Sequence, residues 1–201
     1  MVKKKQSTED RIIQAAWKLF HKKGYVETTV DEIIAASNTS KGSFYHYFRS
    51  KDALLNTLPV IFDDAYREIA AEISPELSAR EKLLYANEKL NKLIETEVDS
   101  KLMASLYSTQ LVTSERRALL DNRRYYYAWV QETIFEGQRS GEFSTDFALV
   151  ELVHLYTMYE RSMIYDWILY DETYSLTAYS NVLLPMLLDR FAAGRKHRYI
   201  P

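Results

Sequence analysis

The chain contains no cysteine, which excludes a disulfide framework, a thiolate zinc site and a cysteine nucleophile. Proline and glycine are scarce, four and five in 201 residues, so few positions could punctuate the strands and hairpins of a β fold. No run approaches the roughly 18 consecutive apolar residues of a membrane span. The basic start Met1-Val2-Lys3-Lys4-Lys5-Gln6 leads into no apolar stretch and does not read as a secretory leader. There is no Gly-rich phosphate loop, no Ser-His-Asp spacing and no carboxylate pair at a plausible site. These absences point to a soluble, cytoplasmic, non-enzymatic chain with no cofactor, no metal and no membrane partner.

What is present is ordinary globular material: 47% hydrophobic and 27% charged residues, enough for a core in one large domain or two small ones. The net charge of −2 conceals an asymmetry. Residues 1–51 hold ten Lys/Arg against five acids, so the remaining 150 residues carry the compensating negative charge. A basic end on an acidic body suits a polyanion, although a solvated lysine-rich tail would look the same on charge alone.

Apolar residues recur at helical spacing throughout. A first helix starts at Ser7 or Thr8, where Ser7-x-x-Asp10 resembles a capping box, and stops at Gly24, a place for a left-handed C-cap. Thr29-x-x-Glu32 is a second capping box, opening a short helix with Ile33 and Ile34 inward. Ser37-Asn38-Thr39 is turn chemistry, and Ser40 N-caps a third short helix through Phe48. A fourth helix is expected from Ser50-Lys51-Asp52 to about Ile73, kinked at Pro59. After the break at Ser74-Pro75-Glu76, helices are expected over about 78–98 and over 101–139, the latter cut near Thr113-Ser114. Two long ones follow, over about 146–170 and 175–193, with Pro185 bending the last. The fold class is all-α, about nine helices: an N-terminal three-helix domain over residues 6–66 and a larger helical domain over 67–201.

Two short helices joined by a three-residue turn, over 29–48, form a helix-turn-helix, whose second helix enters the DNA major groove. Phe44 and Phe48 lie four apart and face inward, which leaves Thr39, Lys41, Gly42, Ser43, Tyr45 and His46 outward. Ser40 marks the helix N-terminus, which attracts phosphate. At these residues the chain resembles the tetracycline-repressor (TetR) family. The matching runs are Ala15-Ala16-Trp17-Lys18-Leu19-Phe20, Gly24-Tyr25-Val26-Glu27-Thr28-Thr29-Val30-Asp31-Glu32-Ile33, Ser40-Lys41-Gly42-Ser43-Phe44-Tyr45-His46-Tyr47-Phe48 and Ser50-Lys51-Asp52-Ala53-Leu54-Leu55. Asn38 and Tyr47 depart from the commonest pattern, where Gly and His are frequent. The resemblance implies phosphate contacts at Thr28 or Thr29, Tyr45 and Lys51. It also implies base-directed positions at Thr39, Lys41, Gly42, Ser43 and His46, and a homodimer built on the last two helices. Its expected partners are a double-stranded DNA operator, a second copy of the chain and an unknown small-molecule inducer.

Beyond residue 60 no motif is recognisable. That region is rich in tyrosine, whose buried ring packs while its hydroxyl needs a partner. Tyr107, Gln110, Tyr126, Trp129, His154, Met158, Arg161 and Tyr165 are candidates to line an apolar inducer pocket with a few polar groups; ordinary packing explains the same residues. Leu149, Leu152, Val153, Tyr156 and Ile164, with Leu176, Val182, Leu183, Met186, Leu187 and Phe191, are candidates for the dimer face. The reading is a ligand-responsive transcriptional regulator, a repressor released from a pseudo-palindromic operator by a small apolar or aromatic inducer. A non-inducible or activating DNA-binding dimer stands as the alternative.

Overall fold

Ser7 opens the first helix: its hydroxyl accepts the Asp10 N–H at 3.0 Å while the Asp10 carboxylate accepts the Ser7 N–H at 3.1 Å. The computed structural model describes residues 7–112 and 117–194. Among these are ten α-helices, a 3-10 turn at Ala118–Leu120 and one isolated bridge between Phe143 and Ala192. The helices are α1 (Thr8–Lys23), α2 (Val30–Ser37), α3 (Lys41–Tyr47), α4 (Lys51–Leu55), α5 (Leu58–Glu72), α6 (Ala79–Glu97), α7 (Ser100–Val112), α8 (Tyr125–Ser140), α9 (Leu149–Leu169) and α10 (Leu176–Phe191). The fold is all-α, as the periodicity indicates. No helix among the described residues is long and apolar enough to cross a membrane.

The tenth helix arises because the expected long fourth helix is two. The chain turns at Asn56–Thr57, where the Thr57 hydroxyl donates to Leu54 O at 2.6 Å and accepts the Trp17 indole N–H at 2.9 Å. Pro59 therefore does not kink a helix interior. It is the second residue of α5, in the first turn, where a missing N–H leaves no intrahelical bond unmade. Gly24 has positive φ as expected, but its pair of 86° and 156° lies outside the left-handed helical region, in territory open essentially to glycine alone. The eighth helix expected from Asp146 starts at Leu149, with Glu151 reaching back to the Ala148 N–H at 2.8 Å. The expected cut near Thr113-Ser114 falls outside the described residues.

The chain divides into two compact units, one of residues up to 61 with 98–121, the other of 62–97 with 122 onward. The division falls within α5, between Ile61 and Phe62. In the first unit Ile12, Ala16 and Phe20 of α1, Ile33 of α2, Phe44 of α3 and Leu54 and Leu55 of α4 are fully buried. α7 belongs with them: the Gln110 side chain donates to Asn56 Oδ1 at 3.0 Å and accepts the Leu119 N–H at 3.2 Å.

In the second unit Leu83 and Ile94 of α6, Val130 and Ile134 of α8, Leu152 and Tyr156 of α9 and Leu184 and Leu188 of α10 form the core. Gly137 sets the approach of α8 to α6, since a Cβ there would lie 2.3 Å from the Phe143 ring and 2.9 Å from Ala79 Cβ. The Glu142 carboxylate accepts the N–H groups of Ala79 and Arg80 at 2.9 and 3.1 Å, capping α6 from a neighbouring loop. Pro185 lies inside α10 without ending it.

Candidate nucleic-acid interface

α2 and α3 are held at a fixed angle by local chemistry. The Thr29 hydroxyl accepts the Glu32 N–H at 3.3 Å, and Glu32 accepts the Thr29 N–H at 2.8 Å and the Lys23 ammonium at 2.6 Å. These bonds to the charged form pull the Glu32 carboxyl down to about 2. α2 ends at Asn38, in the left-handed region at φ 50° and ψ 50°. Asparagine tolerates this region, so it can stand where glycine is frequent. The Arg11 guanidinium donates to Ser37 O and Asn38 O at 3.4 and 3.3 Å, fastening the turn to α1. Ser40 caps α3 through the Ser43 N–H at 3.0 Å.

Phe44 and Phe48 point into the core, so the opposite side of α3 is open. Lys41, Gly42, Tyr45 and His46 are exposed, Ser43 is half-buried, and Tyr45 keeps 46% of its surface. The Lys41 ammonium lies 3.7 Å from Asp31, with 68% of its side chain accessible. A Cβ at Gly42 would meet only Ser40 Oγ, at 3.8 Å. Thr29 and Ser40 are exposed, and half-buried Thr39 shares a hydroxyl contact of 2.8 Å with Ser37. The structure thus brings eight of the ten expected DNA-facing residues to the helix-turn-helix surface.

The other two sit differently. Thr28 is 1% exposed and its hydroxyl donates to Gly24 O at 2.8 Å, so of the pair Thr28 and Thr29 only Thr29 reaches the surface. Lys51 is part-buried, with its ammonium on three backbone carbonyls of the α1–α2 turn. Conversely Tyr47, 42% exposed and edge-on to His46 with ring centroids 4.8 Å apart, joins the outward face. The four-residue repeat of Phe44 and Phe48 already leaves position 47 off the core.

The candidate inducer residues fall in both units. Tyr107 and Gln110 belong to the first unit, where Gln110 is consumed by Asn56 and Leu119. In the second unit His154, Met158 and Tyr165 are exposed on α9, so they line no interior cavity. Trp129 is half-buried, with its ring 5.9 Å from Tyr66, and Arg161 donates to the Tyr127 hydroxyl at 2.9 Å. Tyr126 is buried and donates to Glu160. An open depression of about 720 Å³ is lined in part by Lys82, Glu136, Arg139 and Glu142. Of these, Lys82 pairs with Glu136 at 2.8 Å and Glu142 caps the α6 N-terminus.

The interior of this unit holds a buried carboxylate among hydroxyl and amide donors. Glu160 is buried and accepts bonds from Tyr66 of α5 at 3.1 Å, Asn87 of α6 at 2.9 Å, Tyr156 of α9 at 3.0 Å and Tyr126 of α8. Burial raises the Glu160 carboxyl above its ordinary value, against the opposing pull of these donors. The spacing Tyr156–Glu160, four apart beside buried Leu152 and Ile164, was the available signal. Nearby, Asp63 accepts the Arg124 guanidinium at 2.9 Å and the Tyr126 N–H at 3.3 Å, an anion at the start of α8.

The expected dimer face is also redrawn. Leu152, Val153, Tyr156, Ile164, Leu176 and Phe191 are buried within the subunit, because α9 and α10 are apolar nearly all round and periodicity cannot choose the inward stripe. Val182 and Met186 are exposed as expected, together with Val150, Met158, Tyr165 and Leu169, while Leu149, Leu183 and Leu187 are half-buried.

The residue pattern described as "Bacterial regulatory proteins, tetR family" matches residues 12–58. The HTH-type transcriptional regulator HbdR of Aromatoleum sp. (strain CIB) is 32% identical over 111 residues, 55% of this chain and 48% of that protein. The fatty acid metabolism regulator protein of Bacillus subtilis (strain 168) is 24% identical over 94% of this chain and 97% of its own length. Among solved structures, that of Thermus thermophilus FadR in complex with lauroyl-CoA superposes with a TM-score of 0.72 at 23% identity, covering 97% of this chain and 99% of that one. The chain spans under half the length of HbdR and of the Bacillus subtilis regulator YerO, 48% and 42% of those proteins.

Proposed function

We propose that this chain, which over residues 12–58 is similar to the tetR family of bacterial regulatory proteins, is a ligand-responsive, DNA-binding transcriptional regulator. Residues 6–66 bind the operator, and 67–201 dimerise and take the inducer. One observation carries the reading: with Phe44 wholly buried, α3 presents Lys41, Gly42, Tyr45 and His46 to solvent from a capped turn. Lys41 supplies charge toward phosphate and a donor toward base edges. Ser43, Tyr45, His46 and Tyr47 add hydroxyl and ring donors, and Thr29, Thr39 and Ser40 flank them.

The exposed apolar stripe of α9 and α10 supports a two-fold homodimer. Two copies of α3 about 34–36 Å apart, or a multiple of that, then read a pseudo-palindrome. Repression fits a protein released from its site by a small apolar or aromatic compound. Long-chain acyl-CoAs join the first ligand panel, because the similar Bacillus subtilis protein is a fatty acid metabolism regulator and the Thermus thermophilus protein was solved with lauroyl-CoA.

Selection of bound duplexes from a random pool tests this directly. The expected product is a sequence of two inverted half-sites, released on addition of one member of a panel of acyl-CoAs and aromatic compounds. Recovery of a lone half-site would refute the dimer, and recovery of no enriched sequence would refute operator binding.

A further inference from the structure

Lys51 is the first residue of α4, where a cation meets the positive end of the helix and gains nothing from it. Its position is explained by the turn it faces. The Lys51 Nζ donates to Tyr25 O at 2.8 Å, to Val26 O at 3.2 Å and to Thr28 O at 2.9 Å. An ammonium has three N–H donors and all three are used. The same ammonium lies 4.3 Å from the centroid of the Tyr25 ring, and the Tyr25 hydroxyl donates to Asp52, the next residue of α4.

The three carbonyls converge because the turn is tight. It begins at Gly24 with its positive φ, closes through Thr28 N–H on Tyr25 O at 3.3 Å, and buries Thr28. Carbonyl dipoles aimed at one point repel one another unless a cation sits there. The turn ends at Thr29, the N-cap of α2, so its conformation decides where α2 begins and hence how α3 is presented.

We propose that Lys51 is a positioning residue, an internal ammonium that organises the α1–α2 turn around three carbonyls and so sets the attitude of the helix-turn-helix, and that it is not a ligand for DNA phosphate. The assignment rests on the DNA-binding reading above. It gives the Gly24-Tyr25 and Lys51-Asp52 portions of the motif one shared task, since each half completes the other. Tyr25 covers the ammonium with its ring and ties to Asp52 with its hydroxyl, so loss of either partner exposes the carbonyl cradle.

Phosphate contact and positioning differ in their salt signature. A lysine that neutralises a phosphate adds roughly 0.9 to the slope of log affinity against log salt. With a random-sequence duplex as probe, Lys51→Met is expected to weaken binding roughly tenfold, the population cost of hydrogen bonds to a charged donor lost from the turn, by the same factor at every salt concentration and with the slope unchanged. A slope reduced by about 0.9 would overturn the proposal. Lys51→Arg provides the second arm: a planar guanidinium binds phosphate at least as well as an ammonium but does not fit a three-carbonyl cradle. Weakened binding at unchanged slope is expected, and wild-type or tighter binding would overturn it.

Hydrogen exchange of the intact chain supplies the arm that needs no DNA. The amides of residues 28–33 should lose protection in Lys51→Met, and unchanged protection there counts against the latch. Loss of folded structure in both variants would make Lys51 a residue of the fold as a whole and overturn the positioning role. Failure of the wild-type protein to bind any duplex would instead remove the DNA-binding reading, and the exchange measurement would still decide the latch.

Discussion

Short-range pairs were the residues most open to reading from sequence. Ser7 with Asp10, and Thr29 with Glu32, form the reciprocal caps that their three-residue spacing announces. Lys51, Gln110 and Glu160 were not, because a long side chain ends on whatever the tertiary fold puts before it. Glu160 shows the consequence for pH. Burial raises its carboxyl above the ordinary 4.5. A carboxyl raised on folding contributes stability that is complete below the ordinary value and is lost as pH rises through the raised one. The tyrosines around it, Tyr66, Tyr126 and Tyr156, are all pushed further above 10 and stay neutral over that range. Glu160→Gln should therefore gain on the wild type as pH rises from the ordinary carboxyl value toward neutrality. Urea midpoints measured at a series of pH values check this, and parallel curves for the two proteins would count against a raised Glu160.

Elements were legible where a capping residue met an apolar period, and less so where the period ran on through a break. The chain from Lys51 to Ile73 keeps its apolar spacing, yet it turns at Asn56–Thr57 because Trp17 and Gln110 supply side-chain partners there that no local rule contains. That placement reassigns Gln110 from the inducer pocket to a corner brace between α7 and the α4–α5 turn. Gln110→Ala should lower unfolding stability by about 0.5–1.5 kcal/mol, the net worth of a lost side-chain hydrogen bond. It should leave the ligand concentration that releases DNA unchanged. An unaltered urea midpoint with a shifted ligand response would return Gln110 to the pocket.

At the scale of the whole chain, the all-α class and the helix-turn-helix could be read directly, whereas the second unit's interior could not. α9 shows why: with Val150, Met158, Tyr165 and Leu169 exposed and Leu152, Tyr156 and Ile164 buried, both sides look like core to a periodicity argument. Only the packed structure separates the stripe left exposed from the stripe that closes within the unit. Glu160, joined to α5, α6 and α8, makes that interior a single bonded set, and α5 carries the chain onward from the unit that holds α3. Under the proposed function, a ligand releases DNA only by binding the released state of the protein better than the DNA-bound one. Full release, from 1:99 to 99:1, needs about 5.5 kcal/mol of preference. All of this depends on α3 meeting DNA through its open face. The most direct test is the salt dependence of binding to the selected duplex by wild-type protein and Lys41→Ala. The account predicts a slope smaller by roughly 0.9 in the variant, with weaker discrimination against mismatched duplexes; identical slope, affinity and discrimination would contradict it.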